Sequence, residues 1–244
     1  MKDQLNKTFG NNVTYFEEID STNTYAKQKK NLSHGELIVA RKQTAGRGTY
    51  GRQFFSNLNQ GVYMSIIIDS NKWMFTHEKL ITLLAAVATT EAIKDVLGVS
   101  TDVKWVNDLF FERRKIGGIL TEKNYGADIY VVGIGINLAS IDVEFPDDLQ
   151  NIAGSLYIKD ESTKIELIKQ IYDSLINPMK WLEISDVIGA YKKRLFVLNK
   201  EVDFVYGDKK LSGFVKDVDE CGGIIIEYDG KVEKFTSGEI RIRV

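Results

Sequence analysis

The 244-residue chain carries 32 Lys and Arg against 34 Asp and Glu, a formal net charge of −2, with 43% hydrophobic residues. That is an ordinary globular balance, without the basic excess of a general nucleic-acid binder. Cys221 is the one cysteine and permits no intrachain disulfide, no apolar run reaches the ~18 residues needed to span a bilayer, and no signal-peptide pattern opens the chain, so a cytoplasmic protein without membrane contact is expected.

Residues 13–19 read as a first strand, and Asp20-Ser21-Thr22-Asn23 follows ahead of a helical pattern over residues 25–30. Short polar residues at that junction are helix-capping types. At a sheet edge the same hydroxyls and amide can hold a polar ligand group, and one residue can cap while its neighbour binds. Residues 36–42 form a strand that enters Lys42-Gln43-Thr44-Ala45-Gly46-Arg47-Gly48-Thr49-Tyr50-Gly51-Arg52, with Arg41 just before. Glycines let the backbone approach a ligand, successive amide N–H groups make a concave anion site, and arginine adds bidentate recognition of carboxylate or phosphate. The stretch reads as a loop for a small anion; a solvated basic turn between two strands is the alternative. Gly46-x-Gly48-x-x-Gly51 matches the dinucleotide fingerprint literally, but that motif must open a helix, and residues 54–61 lead into another strand with no room for one. The P-loop fails as well, because Arg52-Gln53 stands where Lys-Ser/Thr is required.

Residues 61–69 make a near-continuous apolar strand suited to burial on both faces. Residues 79–97 place apolar side chains at helical spacing and stop at Gly98. Residues 101–111, 115–122 and 129–136 read as three strands of a meander, with a turn at 124–126. Lys104, Asn107, Asp108, Lys115 and Asn137 fall near strand ends or turns, where the edge of a ligand would lie. Arg113 and Arg114 read as a solvated hairpin tip, whereas Lys115 precedes Gly117 and Gly118, which would let the backbone pack against a ligand. Residues 162–183 and 186–195 read as amphipathic helices. From Val197 the pattern changes to short strands over residues 201–206, 209–217, 224–228, 231–236 and 240–244, with tight turns at Gly207-Asp208, Gly222-Gly223 and Asp229-Gly230, which implies a small barrel and a domain boundary near Phe196. His34, His77 and Cys221 lie outside every motif.

With these residues in hand, the chain resembles the biotin protein ligases. Ser21-Thr22-Asn23, Gln43 with Gly46-Arg47-Gly48, Lys104-Trp105 with Asn107-Asp108, Lys115 with Gly118-Ile119-Leu120, and Gly133 with Gly135-Ile136-Asn137 match in order and approximate spacing, over nearly everything from Tyr15 to Val244. The resemblance implies an α/β (α+β) fold: a class II aminoacyl-tRNA-synthetase-like mixed sheet with flanking helices over residues 1–195, then an SH3-like β-barrel over residues 196–244. It implies that biotin and ATP give biotinyl-adenylate and pyrophosphate, and that a lysine of a biotin carboxyl carrier protein then takes the biotinyl group. Ser21, Thr22, Asn23 and Gln43 would serve the ureido ring, with Gly46, Arg47, Gly48, Thr49, Lys115 and Gly117 completing the biotin site. Arg47 and Lys115 would hold the biotin carboxylate and the α-phosphate, and Asp108 would be the third catalytic residue, beside Mg2+. Lys104, Asn107, Lys115 and Asn137 would hold the nucleotide, Asn137 near the adenine. Bifunctional relatives carry an N-terminal winged helix; here the first catalytic strand begins near residue 13, so a ligase-only type without DNA binding is expected, with a homodimer left open.

A carboxylate that attacks a phosphate faces like-charge repulsion, so the implied reaction calls for cations and positioning more than for a covalent nucleophile. The chain departs from the family at Thr49, where Arg is usual, at Phe54, where Trp is usual, and at Val106, where Pro is frequent. Two rival readings remain: a lipoate or octanoate ligase of the same fold, and a non-catalytic biotin or nucleotide sensor. The polar residues at 21–23 and 43 favour a ureido ring over lipoate, and Lys115 with Asp108 favours catalysis over sensing.

Overall fold

The structure, a computed structural model, describes residues 1–58, 60–75, 77–124, 128–140 and 145–243. Helix α1 (Lys2–Phe9), which the sequence reading did not anticipate, buries Leu5. Strand β1 (Val13–Ile19) runs into α2 (Thr22–Gln28), and β2 (Leu37–Gln43) lies parallel beside β1. A parallel pair needs a crossover, and α2 supplies it. Strand β3 (Val62–Asp69) is buried at all but its last position, and α3 (Ile81–Leu97) ends on Gly98 in the left-handed region, as the apolar spacing and the glycine required.

The expected strand over residues 101–111 is instead two: β4 (Asp102–Lys104) and β5 (Asp108–Phe111), folded back on each other so that Lys104 pairs with Asp108. The turn between them is fastened to the next strand: Asn107 Nδ2 donates to the Ile119 carbonyl at 2.7 Å, and the Ile119 N–H donates to the Asn107 carbonyl at 2.9 Å. The Trp105 indole donates to the Gly222 carbonyl and the Tyr191 hydroxyl to the Val106 carbonyl, both at 3.0 Å. Strands β6 (Arg114–Lys123) and β7 (Ile129–Ile136) complete a seven-stranded sheet in the order β1-β2-β3-β7-β6-β5-β4, antiparallel except for the first pair. Most of the turn expected at 124–126 lies outside the described residues.

Two short parallel strands follow, β8 (Leu138–Ala139) and β9 (Leu156–Tyr157). Helix α4 (Glu161–Ile176) is shorter than the expected 162–183, because Pro178 disfavours helical geometry at the residue before it. Asp160 caps its start, accepting from the Thr163 N–H at 2.9 Å. Helix α5 (Ile184–Arg194) leads to β10 (Glu201–Tyr206), β11 (Lys209–Val218), β12 (Ile224–Tyr228), β13 (Lys231–Phe235) and β14 (Ile240–Arg243), a five-stranded antiparallel sheet in the order β13-β12-β11-β10-β14. The mixed α/β sheet followed by a small antiparallel β unit is the architecture that the sequence implied.

Helices α3, α4 and α5 bury one face of the large sheet, through Leu37, Val39, Ile66, Ile68, Val132 and Ile134, in a core continuous with that of the small sheet. The opposite face carries α2 and is left partly open. Two glycines of β7 make room there. A Cβ at Gly133 would lie 2.2 Å from Asn23 Oδ1, and one at Gly135 would lie 2.4 Å from the Phe54 ring. Only glycine lets α2 and the loop after β2 come down onto the strand.

Candidate active site

A cavity of about 390 Å3 opens on that face, lined by α2, the glycine-rich loop, β6, β7, the β4–β5 turn and the segment before β9. It brings together Ser21, Thr22, Asn23, Gln43, Arg47, Gly48, Thr49, Lys104, Asn107, Asp108, Lys115 and Asn137. Gly46 and Gly117 are not among its lining residues. Each lacks a Cβ for a packing reason: at Gly46 it would lie 2.3 Å from Ser56 Oγ, and at Gly117 2.5 Å from the Gly135 carbonyl. It is Gly118 whose open side faces Asp108 and Lys115.

At one end, the start of α2 places three polar residues that are 3% exposed or less. Ser21 caps the helix, its hydroxyl accepting from the Thr24 N–H at 3.4 Å, so its own proton is left to donate. Gln43 Oε1 accepts from the Thr22 N–H at 2.8 Å and lies 3.1 Å from the Thr22 hydroxyl, which leaves the Gln43 amide N–H groups for a ligand. Buried Ser65 Oγ lies 2.8 Å from Thr22 Oγ1 and 2.6 Å from Asn23 Oδ1. A carbonyl oxygen can only accept, so the Ser65 proton goes to Asn23, and the Thr22 proton turns inward to Ser65 or Gln43. Thr22 therefore offers the cavity an acceptor lone pair. Donors on Ser21 and Gln43 beside an acceptor on Thr22 complement a ring with one carbonyl and flanking N–H groups. Asn23 is already consumed: its Nδ2 donates to the Leu120 carbonyl and to Glu122 Oε2, both at 3.1 Å.

The glycine loop is a closed hairpin with only a short turn over Thr49–Gly51, in keeping with the exclusion of both nucleotide-binding helices. The Gly48 N–H donates to the Arg52 carbonyl at 2.8 Å, and the Phe54 N–H to the Gly46 carbonyl at 2.9 Å. Arg41 and Lys42 point away, paired with Glu17 and Glu18. The Arg47 guanidinium donates to Glu122 Oε2 at 2.9 Å, on the side of Asn23. Phe54 and Leu120 make the middle of the cavity apolar.

At the far end Lys115 Nζ lies 2.5 Å from Asp108 Oδ1. Seven residues of β6, roughly 20 Å of strand, separate Lys115 from Glu122. In this conformation Arg47 and Lys115 thus serve opposite ends of the cavity. Lys104, half-buried over the Phe110 ring, also lines the cavity, as does Arg52, a member of the glycine-rich loop that the resemblance did not place in the site. Burial pushes the Lys104 amine below its usual range; Asp108 opposes that, while Lys115 and Arg52 add to it. Asn107 spends its amide N–H on the Ile119 carbonyl.

A segment without regular structure completes this end. The Lys115 N–H donates to the Ile152 carbonyl at 2.7 Å, and the Gly154 N–H to the Lys115 carbonyl at 2.9 Å. Arg114, read from sequence as a solvated tip, clamps the same segment by donating to the Gln150 carbonyl at 2.8 Å. Asn137, 3% exposed, donates to the Gly154 carbonyl at 3.0 Å, while its Oδ1 is buried with no partner among the described residues. Leu149, Ile152 and Ala153 stand beside it. Apolar side chains beside one unsatisfied amide acceptor suit a heteroaromatic ring bearing an amino donor.

A family model described as "Biotin/lipoate A/B protein ligase family" matches residues 15–138, and one described as "Biotin protein ligase C terminal domain" matches residues 197–243. The bifunctional ligase/repressor BirA of Bacillus subtilis is 39% identical over 155 residues, covering 62% of this chain; the chain spans 47%, about half, of that relative's length. BirA of Escherichia coli is 26% identical over 258 residues, covering 99% of this chain and 77% of the relative. The solved biotin protein ligase from Aquifex aeolicus in complex with biotin and ATP superimposes with a TM-score of 0.78 at 26% identity, covering 96% of this chain and 99% of that one.

Proposed function

The chain belongs to the biotin/lipoate A/B protein ligase family, and from that premise we propose that it is a biotin–[biotin carboxyl carrier protein] ligase. The observation that carries the reading is one cavity with donors and an acceptor for a cyclic urea at one end, an apolar middle, and cations beside the apolar side chains Leu149, Ile152 and Ala153 at the other. In the first step a biotin carboxylate oxygen attacks the α-phosphorus of ATP; the new O–P bond forms as the bond to pyrophosphate breaks. In the second, a neutral lysine amine of the carrier attacks the biotinyl carbonyl, AMP leaves, and the amine loses its proton.

Ser21, Thr22 and Gln43 recognise the ring. Lys115, Lys104 and Arg52 offset the charge that gathers on the phosphates. Asn137 Oδ1 accepts from the adenine amino group, and the small C-terminal unit, residues 196–244, is a second domain whose core is continuous with that of the catalytic one. Among the described residues no cluster of three His, Cys, Asp or Glu assembles, so Mg2+ would take Asp108 from the protein and its remaining oxygens from ATP and water, a donor set that suits this ion. When bound it would neutralise phosphate charge. The net charge of −2 gives no basic footprint for duplex DNA.

Lipoate lacks the urea that the ring end complements. Incubation with ATP, a biotin carboxyl carrier domain and either labelled biotin or labelled lipoate is expected to label the carrier lysine with biotin alone. Lipoyl transfer at a comparable rate would favour the rival ligase.

Thr49 gives a further expectation. Its hydroxyl lies 3.3 Å from an Arg52 guanidinium nitrogen, and Arg52 also donates to its carbonyl. Threonine brings no charge of its own to the loop. Thr49→Arg is expected to slow release of biotinyl-adenylate by about tenfold or more, the worth of one charge-assisted contact. Dissociation of labelled adenylate and labelling of bystander lysines measure it; if neither changes, the departure at position 49 is functionally neutral.

A further inference from the structure

We infer that Glu122, which lines no part of the cavity, is a positioning residue that ties the glycine loop to the ring-binding helix and thereby sets affinity for biotin. The inference rests on the reading of the site as a biotin site.

The Glu122 side chain is 15% exposed, a costly place for a carboxylate unless it is paired. Three groups from two other elements converge on it. From α2, Lys27 Nζ reaches Oε1 at 2.8 Å and Asn23 Nδ2 reaches Oε2 at 3.1 Å. From the loop, Arg47 reaches the same Oε2 at 2.9 Å. Burial pushes the carboxyl up, but the hydrogen bonds from Lys27 and Asn23 and the charges of Arg47 and Lys27 outweigh it and hold the group ionised, below its usual range.

Behind this junction the chain of bonds runs inward. Asn23 Oδ1 takes the Ser65 proton, and Ser65 is one of the two groups, with Gln43, that can take the Thr22 proton. Glu122 thus fixes Asn23, Asn23 fixes Ser65, and Ser65 helps to present Thr22 as an acceptor. The same carboxylate holds Arg47, and with it the loop that carries Gly48 over the cavity. In this arrangement the side-chain partner of the Arg47 guanidinium among the described residues is Glu122, at the ring end of the cavity. The task of Arg47 is to close the loop onto α2.

This gives a split that a phosphate-binding arginine would not give. Glu122→Gln and Arg47→Gln are each expected to raise the biotin Kd about tenfold, measured by calorimetry, with the ATP KM in pyrophosphate exchange unchanged within about twofold. The double variant should bind biotin about as weakly as the worse single, because both changes break one junction. A biotin Kd unchanged in Glu122→Gln, a multiplicative double variant, or a loss confined to turnover at saturating biotin overturns the inference. Arg47 is 41% exposed and can be replaced without disturbing the core, so Arg47→Gln decides the matter if Glu122→Gln fails to fold: a raised ATP KM with unchanged biotin affinity would refute it. A parent chain that binds no biotin would sink the proposed function and this inference together; a parent that binds biotin, with variants that bind it equally well, would sink this inference alone.

Discussion

Lys115→Ala is expected to lower biotin-dependent adenylation about 10- to 150-fold while biotin binding changes little. A charge-assisted contact to a developing phosphate is worth roughly 1.5–3 kcal/mol, which converts to that range. The structure adds a reason for the upper half. Lys115 is the partner of Asp108, so its loss leaves an uncompensated carboxylate where ATP must bind. Lys115→Arg keeps the charge and should recover part of the rate, short of the parent because a planar fork does not replace a compact ammonium. Steady-state pyrophosphate exchange and calorimetry with biotin separate the two effects. Full exchange in Lys115→Ala would remove this residue from the mechanism.

The second large effect is on stability and lies far from the cavity. Lys164, on α4, is 2% exposed, and its ammonium nitrogen has no partner among the described residues. Burial pushes its pKa down to about 7, with Glu161 opposing, Arg41 reinforcing and Glu17 opposing. The sign follows directly. Between about pH 7 and the ordinary lysine value near 10.5 the unfolded chain holds a proton that the folded chain does not, so stability rises with pH across that window. At pH 7 the mismatch costs up to about 4 kcal/mol. Lys164→Met keeps the length and removes the charge. Urea denaturation is expected to show the variant a few kcal/mol more stable at pH 7, the gap narrowing towards pH 10. Parallel curves for parent and variant over that range would contradict the burial argument.

The strands near the site were legible because their signals are local. Residues 13–19 and 61–69 alternate or saturate with apolar side chains, and the turns at Gly207-Asp208, Gly222-Gly223 and Asp229-Gly230 marked the last five strands. Pro178 was equally visible, yet the apolar spacing through Trp181 outweighed it, and the helix was read one turn and more too long. The fold-back at Trp105–Asn107 was hidden because a bond from Asn107 to β6, twelve residues on, makes the turn. Within the site, Lys115, Asp108 and the Ser21-Thr22-Asn23 run were legible from residue type and position. Glu122 was not: a carboxylate near a strand end reads as solvated until α2 and the loop are laid against it. Nor was the wall of Leu149, Ile152 and Ala153, which has neither period nor motif and is held by the backbone of Lys115. The direction of a long side chain is invisible to spacing, which is why Arg47 could be named as a site residue while its partner could not.

The most direct measurement is exchange of labelled pyrophosphate into ATP by the purified chain, with biotin, with lipoate and with neither. A single cavity that activates biotin predicts exchange that requires biotin, is not supported by lipoate, and falls with Lys115→Ala. Exchange with lipoate but not biotin, or none with either under conditions where biotin binds, would contradict the account.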